Sequence, residues 1–169
     1  MNISKVGSCY GCGVCTLACG KKIIKMRRDK TGFYVPYIED ASKCTDCGLC
    51  TDVCVYLHRD KAVENSPLKS FAAWSKEKAV RHICSSGGVG FEIGRSMQEK
   101  GFHILGVRYN VKKQRAEHSV ATTAEDLLAS MGSKYIQSYT YDAFQTLDRK
   151  RKYLITGTPC QIDSFKRYV

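Results

Sequence analysis

Two groups of four cysteines carry the clearest chemical signal in this sequence. Both groups have the spacing C-x2-C-x2-C-x3-C, and their members are Cys9, Cys12, Cys15 and Cys19, then Cys44, Cys47, Cys50 and Cys54. Three thiolates at such short intervals can surround one iron–sulfur cubane, because Gly11, Gly13 and Gly48 let backbone amides approach its sulfides. We therefore predict that these eight cysteines bind two 4Fe-4S clusters.

Disulfide bonds and zinc are the two other uses of so many cysteines. Disulfides need an oxidising compartment and gain nothing from a duplicated spacing. Zinc commonly binds separated C-x2-C pairs, whereas the two runs here are identical four-cysteine repeats. The spacing favours iron–sulfur clusters, and zinc stays the alternative that metal analysis must exclude.

The eight-cysteine region resembles the bacterial-type ferredoxins, in which the fourth cysteine of each run ligates the other cluster. The resemblance implies two ligand sets: Cys9, Cys12, Cys15 and Cys54 for the first cluster, and Cys44, Cys47, Cys50 and Cys19 for the second. The sequence departs from these ferredoxins because Gly20 and Val55 replace the proline that usually follows the fourth cysteine. Proline supplies no ligand, so we expect cluster binding to persist and the solvent shielding of the clusters to change.

The composition is that of a globular protein, with 43% hydrophobic and 25% charged residues in a chain of 169. No segment approaches roughly 18 uninterrupted apolar residues, and the first twenty residues lack the pattern of a signal peptide. The sequence therefore predicts neither a membrane span nor secretion, and we expect a reducing, cytoplasmic location.

The chain is basic, with 27 Lys and Arg against 16 Asp and Glu and a formal net charge of +11. Two clusters at about −2 each, counted with their thiolates, would lower this to roughly +7. Such a charge suits an acidic redox partner or an anionic cofactor. No recognition motif accompanies the basic residues, so a nucleic-acid ligand is not expected.

The distribution of cysteines divides the chain into two regions, because only Cys84 and Cys160 follow Cys54. We predict an α+β ferredoxin-like two-cluster domain over residues 1–62, a polar linker over 63–70, and a partial α/β domain over 71–169. The chain stops nine residues after Cys160, soon after a predicted helix begins. We expect from this a truncated protein.

The elements that must position these residues follow from periodicity and turn signals. The first region should contain a hairpin of strands over 23–27 and 33–38. In the second region we predict a helix from Val89 that ends at Gly101, a strand over 102–109, a short helix from Thr123, a helix over 141–152, a strand over 153–156 and a final helix after residue 160.

Two loops of the second region could receive a phosphate. Ser85-Ser86-Gly87-Gly88 precedes a predicted helix, whose free backbone amides favour anions. A glycine turn before a helix is also common without any ligand. Gly157-Thr158-Pro159-Cys160-Gln161 follows a predicted strand, at the end of the sheet where α/β proteins bind ligands.

The order of these motifs, together with Gly132-Ser133-Lys134-Tyr135-Ile136-Gln137-Ser138, resembles the coenzyme F420 hydrogenase/dehydrogenase beta subunit family. The resemblance covers nearly the whole chain. It implies that FAD, held by the α/β part, exchanges electrons with the ferredoxin part and a hydride with a deazaflavin or another two-electron substrate. Members of the family continue into a C-terminal domain that this sequence lacks.

The same resemblance implies six cofactor-binding residues: Ser86, Gly87, Gly88, Lys134, Tyr135 and Cys160. Cys160 could instead ligate an additional cluster or be a small buried residue, and Cys84 reads as a half-buried thiol. No catalytic residue is assigned.

The function expected from the sequence is an iron–sulfur electron-transfer module of a flavin-linked oxidoreductase, with a redox partner protein or subunit. A non-enzymatic ferredoxin-like carrier or docking subunit, and a truncated fragment of a longer oxidoreductase, are the alternatives. The presence of bound flavin distinguishes the first from the second.

Overall fold

The structure is a computed structural model that describes residues 1–58 and 69–169. These residues form a mixed α/β structure with two small sheets. Residues 59–62 of the first predicted domain and residues 63–68 of the predicted linker lie outside the described residues. Within the described part of the chain, no helix is long and apolar enough to cross a membrane.

The first region contains two short helices and a two-stranded sheet. In chain order its elements are a 3-10 turn (Ile3–Lys5), α1 (Val14–Ala18), β1 (Ile24–Arg28), β2 (Tyr34–Ile38), a second 3-10 turn (Ala41–Lys43) and α2 (Leu49–Asp52). β1 and β2 are antiparallel, with Ile24 opposite Ile38, which confirms the predicted hairpin. Asp29 Oδ1 fixes the connecting turn by accepting hydrogen bonds from the N–H groups of Thr31 and Phe33 at 2.9 and 3.0 Å.

The second region is built on a three-stranded sheet in the order β4-β3-β5. Its elements are α3 (Lys78–Ile83), α4 (Val89–Glu99), β3 (His103–Asn110), β4 (Arg115–Ala121), α5 (Ala124–Ala129), α6 (Tyr141–Phe144), β5 (Tyr153–Ile155) and α7 (Pro159–Tyr168). β3 and β5 are parallel, whereas β3 and β4 are antiparallel. The sheet is therefore mixed.

β4 is not predicted from the sequence, because buried polar residues interrupt its pattern. Glu117 and His118 are only 6% and 5% exposed. Glu117 is satisfied by hydrogen bonds from Arg108, Asn110 and Arg115 at 3.1, 2.8 and 3.1 Å. Charge pairing thus allows β4 to lie inside the fold despite its polar sequence.

Two other elements differ in detail from the sequence expectation. The helix predicted over 141–152 is wrong beyond Phe144, where α6 ends. Asp148 Oδ1 accepts hydrogen bonds from the N–H groups of Lys150 and Arg151, and this turn competes with the helix. α5 begins at Ala124, one residue later than predicted, because its capping box is formed by Thr123 and Asp126.

One hydrophobic core joins the two regions. It includes Val14 and Ile24 from the first region and Leu105, Phe144 and Phe165 from the second. Phe144 is fully buried, and its ring packs edge-on against Phe165 with centroids 5.1 Å apart. The two regions therefore stabilise one another.

His118 makes folding stability depend on pH. Its Nδ1 lies 2.9 Å from Ser138 Oγ, and burial lowers the pKa of His118 to about 4. The unfolded chain binds this proton near the ordinary pKa of 6.5 and the folded chain does not. Stability should therefore fall as pH decreases from about 6.5 to about 4, by roughly 3 kcal/mol at most. We expect the free energy of unfolding of His118→Asn to change less between about pH 7 and about pH 5 than that of the parent chain, as measured by anaerobic urea unfolding. An equal change in the two proteins would contradict this prediction.

Candidate metal centres and the adjoining cleft

The two cysteine runs fold into equivalent loops. Each run has a glycine in the left-handed region immediately before its short helix: Gly13 (φ 81°) precedes α1 and Gly48 (φ 83°) precedes α2. This conformation favours glycine because it has no Cβ. The turns place Cys15 and Cys50 in the first turn of α1 and α2, where both are buried.

The cysteines line two separate cavities. One cavity is bordered by Cys9, Cys12, Cys15 and Cys54, and the other by Cys19, Cys44, Cys47 and Cys50. Each cavity thus draws three cysteines from one run and the fourth from the other. The second cavity measures about 230 Å³ and the first about 20 Å³, so a cubane in the first requires its walls to separate.

Electrostatic interactions also connect the two cysteine runs, and Cys15 interacts with members of both sets. Burial raises the pKa of Cys9, and the thiol of Cys54 adds to this effect. Burial likewise raises the pKa of Cys50, to which Cys19 and Cys47 contribute. In both cases a cysteine of one run interacts with a cysteine of the other.

The donor set fits iron–sulfur clusters. All ten cysteines are free, and the N–H of Gly11 donates a hydrogen bond to Cys9 Sγ at 3.1 Å. Burial raises the pKa of Cys12 to about 11, which makes a thiolate there unfavourable without a cation. Within residues 1–58 and 69–169, no three His, Cys, Asp or Glu side chains are arranged for a single metal ion. The cysteines instead border two cavities, of which the second, at about 230 Å³, is already open enough for a multi-atom cluster.

Helix α7 brings two polar side chains to the first cysteine set. Cys160 interacts electrostatically with Cys9 and Cys12. Ser164 is fully buried, with Oγ 3.6 Å from Cys12 Sγ. Ser164 is not predicted from the sequence, although its i,i+4 spacing from Cys160 in a predicted helix is a signal that both share a face.

A cleft of about 680 Å³ lies beside the first cavity. Its walls come from the first cysteine loop, from 130–138 and from the loop after β5, and its lining includes Tyr10, Cys12, Gln137, Ser138 and Thr158. Tyr10 and Cys12 border both the cleft and the first cavity. The second cavity shares no lining residue with the cleft. The first cysteine set is therefore the one next to the cleft.

Of three predicted cofactor residues, two line the cleft and the third does not. Lys134 and Cys160 line the cleft. Lys134 Nζ donates hydrogen bonds to the carbonyl oxygens of Ser130, Met131 and Gly132 at 2.6 to 2.9 Å, and so caps the C-terminal end of α5. Burial lowers the pKa of Lys134. Tyr135 is 93% exposed and is not among the residues that line the cleft.

The predicted glycine turn at 85–88 lies beside the cleft rather than in its wall. Ser86, Gly87 and Gly88 are not among the cleft-lining residues. The turn is joined to the cleft wall because Ser133 N–H donates a hydrogen bond of 2.7 Å to Ser85 Oγ. A Cβ added at Gly87 would lie 2.6 Å from the carbonyl oxygen of residue 73, so close packing explains this glycine. Cys84, just before the turn, is half-buried.

Comparison with known families assigns both regions. Residues 8–58 match the 4Fe-4S dicluster domain, and residues 70–144 match the N-terminal domain of the coenzyme F420 hydrogenase/dehydrogenase beta subunit. Comparison with curated proteins gives no match. The chain is therefore similar to a 4Fe-4S dicluster domain over residues 8–58 and to the N-terminal domain of the coenzyme F420 hydrogenase/dehydrogenase beta subunit over residues 70–144, and the resemblance drawn from its sequence is confirmed.

Proposed function

We propose that this chain is the iron–sulfur electron-transfer module of a flavin-linked oxidoreductase. Cys9, Cys12, Cys15 and Cys54 would hold one 4Fe-4S cluster, and Cys19, Cys44, Cys47 and Cys50 the other. The observation that carries the proposal is the pair of cavities, each bordered by four cysteines from both runs, inside a region that matches the dicluster domain.

When bound, the clusters supply one-electron transfer, and a flavin in the cleft supplies the conversion to two-electron hydride transfer. The residues of this chain determine what surrounds each group. Cys12 and Cys15 are withdrawn from water, whereas Cys47 is exposed. We infer that the redox partner protein or subunit approaches at the second set. The two-electron substrate then belongs at the opposite end, by the cleft.

FAD is the cofactor that we propose for the cleft. The cleft volume of about 680 Å³ lies within the range of roughly 300–1,000 Å³ that is typical of ligand pockets. The cleft also lies at the carboxyl end of β5, where α/β sheets bind ligands. Lys134 and Cys160 would border the flavin, and the turn containing Ser86, Gly87 and Gly88 would support the cleft wall through Ser85. Tyr135 would reach the cofactor only from the rim.

The experiment that tests this proposal measures iron, sulfide, zinc and flavin in one anaerobically purified sample. We expect about eight irons and eight sulfides per chain, with about one flavin. Iron and sulfide without flavin would overturn the flavin-linked part and leave an electron carrier or docking subunit. Zinc without sulfide would overturn the whole proposal.

Two matched variants locate the flavin within the protein. Ser133→Trp places a large side chain on the cleft wall, and Tyr135→Trp places the same side chain outside the lining. We expect Ser133→Trp to lose flavin and keep its iron, and Tyr135→Trp to keep both. If both variants retain flavin, the cleft is not the flavin site.

A further inference from the structure

Ser164 is a buried hydroxyl in an otherwise apolar contact. It lies on α7 next to Phe165, and its exposure is 0%. Two groups of the first region lie within hydrogen-bonding distance of Ser164 Oγ. Val55 N–H donates to it at 3.4 Å, and Cys12 Sγ lies 3.6 Å away. Val55 directly follows Cys54, so Ser164 contacts two separate segments of the chain that carry cysteines of the first set.

The hydrogen-bond directions determine what this hydroxyl can do to the sulfur. Ser164 Oγ accepts hydrogen bonds from Val55 N–H and from the protonated Cys12 thiol, so the proton of its own hydroxyl can be donated to Cys12 Sγ once that sulfur is a thiolate. A hydrogen bond to a cluster sulfur stabilises the reduced state more than the oxidised state, because reduction adds negative charge.

The second cysteine set has a different donor. There Asn2 Nδ2 lies 3.5 Å from Cys44 Sγ, and both partners come from the first region. Asn2 is only partly buried, whereas Ser164 is completely buried and belongs to the α/β region. A duplicated cysteine motif therefore has two unequal environments: the side-chain hydroxyl beside Cys12 comes from the α/β region, whereas the side-chain amide beside Cys44 comes from the first region.

We propose that Ser164 is a positioning residue that raises the reduction potential of the cluster next to the cleft by donating a hydrogen bond to Cys12 Sγ. This inference rests on the proposed function, because it requires that Cys9, Cys12, Cys15 and Cys54 hold a cluster. It adds that the α/β region sets the electron affinity of that cluster.

The test is a redox titration of the full chain, monitored by electron paramagnetic resonance under anaerobic conditions. Ser164→Ala should lower the midpoint of one cluster by about a tenfold change in its one-electron equilibrium, which is about 59 mV. The other cluster should keep its midpoint and serves as the internal reference. The same titration in a Cys47→Ser background, which alters the second set, assigns the shifted step to the first.

Two further variants distinguish the loss of the hydrogen bond from a folding defect. Ser164→Thr and Ser164→Val add the same bulk, but only threonine keeps a hydroxyl. We expect the valine variant to have the lowered midpoint and the threonine variant to stay near the parent protein. Ser75→Ala, which removes another buried serine hydroxyl that borders neither cysteine cavity, should leave both midpoints unchanged.

The outcomes separate the inference from the proposed function. If intact clusters are present and neither alanine nor valine lowers a midpoint, the role of Ser164 is refuted and the electron-transfer function stands. Equal midpoints for the threonine and valine variants would also refute it. If the parent chain binds no iron and sulfide, the proposed function itself has failed.

Discussion

The double variant Cys15→Ser/Cys54→Ser should keep about half of its iron, whereas Cys15→Ser/Cys19→Ser should lose nearly all of it. The first pair borders one cavity although its members come from different runs. The second pair belongs to one run but borders both cavities. Serine is a poor replacement for a thiolate ligand of iron. Iron and sulfide analysis of anaerobic protein, about four against about zero irons per chain, measures the difference.

Single variants and a control complete this prediction. Cys19→Ser and Cys47→Ser should damage the same cluster, and Cys15→Ser the other. Cys84→Ser removes a half-buried thiol that borders neither cavity, so its iron content should equal that of the parent chain. The crossed ligand sets are wrong if Cys15→Ser and Cys19→Ser abolish the same spectroscopic signal.

Gly13→Ala should destabilise the protein by about 2–5 kcal/mol. Gly13 has φ +81°, which is unfavourable for alanine, and the new Cβ would overlap Thr140 Oγ1. Thr140 cannot move aside easily because it is 1% exposed. Since Gly13 lies in the first cysteine loop and Thr140 in the second region, the clash separates the two. Anaerobic urea unfolding, together with iron retention, measures the loss.

Two variants identify the origin of this loss. Gly7→Ala adds the same methyl group where nothing lies within 4 Å and should change stability little. Thr140→Ala removes the overlapping atom, so Gly13→Ala/Thr140→Ala should be more stable than the sum of the single effects predicts. Strict additivity would show that the backbone conformation alone causes the loss.

The sequence predicted best those features that depend on neighbouring residues. The cysteine spacing, the hairpin around Asp29 and, to within one residue, the start of α5 are all local patterns. β4 was not predicted because the Glu117 carboxylate is satisfied by hydrogen bonds from Arg108 and Asn110, which only the folded sheet brings close to it. The role of Ser164 depends on a contact 152 residues away in the chain, which no local pattern encodes.

Packing, which the local sequence does not encode, also determines which residues line the cleft. The family resemblance named Lys134 and Tyr135 together, yet one lines the cleft and the other faces solvent. Adjacent residues in a loop point in different directions, and spacing alone does not say which. Tyr10 was not singled out from the sequence, because only packing places it between the cleft and the first cavity.

The core that joins the two regions has a consequence for how the protein is made. Val14 in α1 and Phe165 in α7 belong to the same buried cluster, so the cysteine loops reach their final shape only after α7 has been synthesised. Cluster insertion during biogenesis should therefore follow the synthesis of α7. The cysteine-rich half, expressed by itself, would expose Val14 and Ile24 to water and would be a poor recipient for iron.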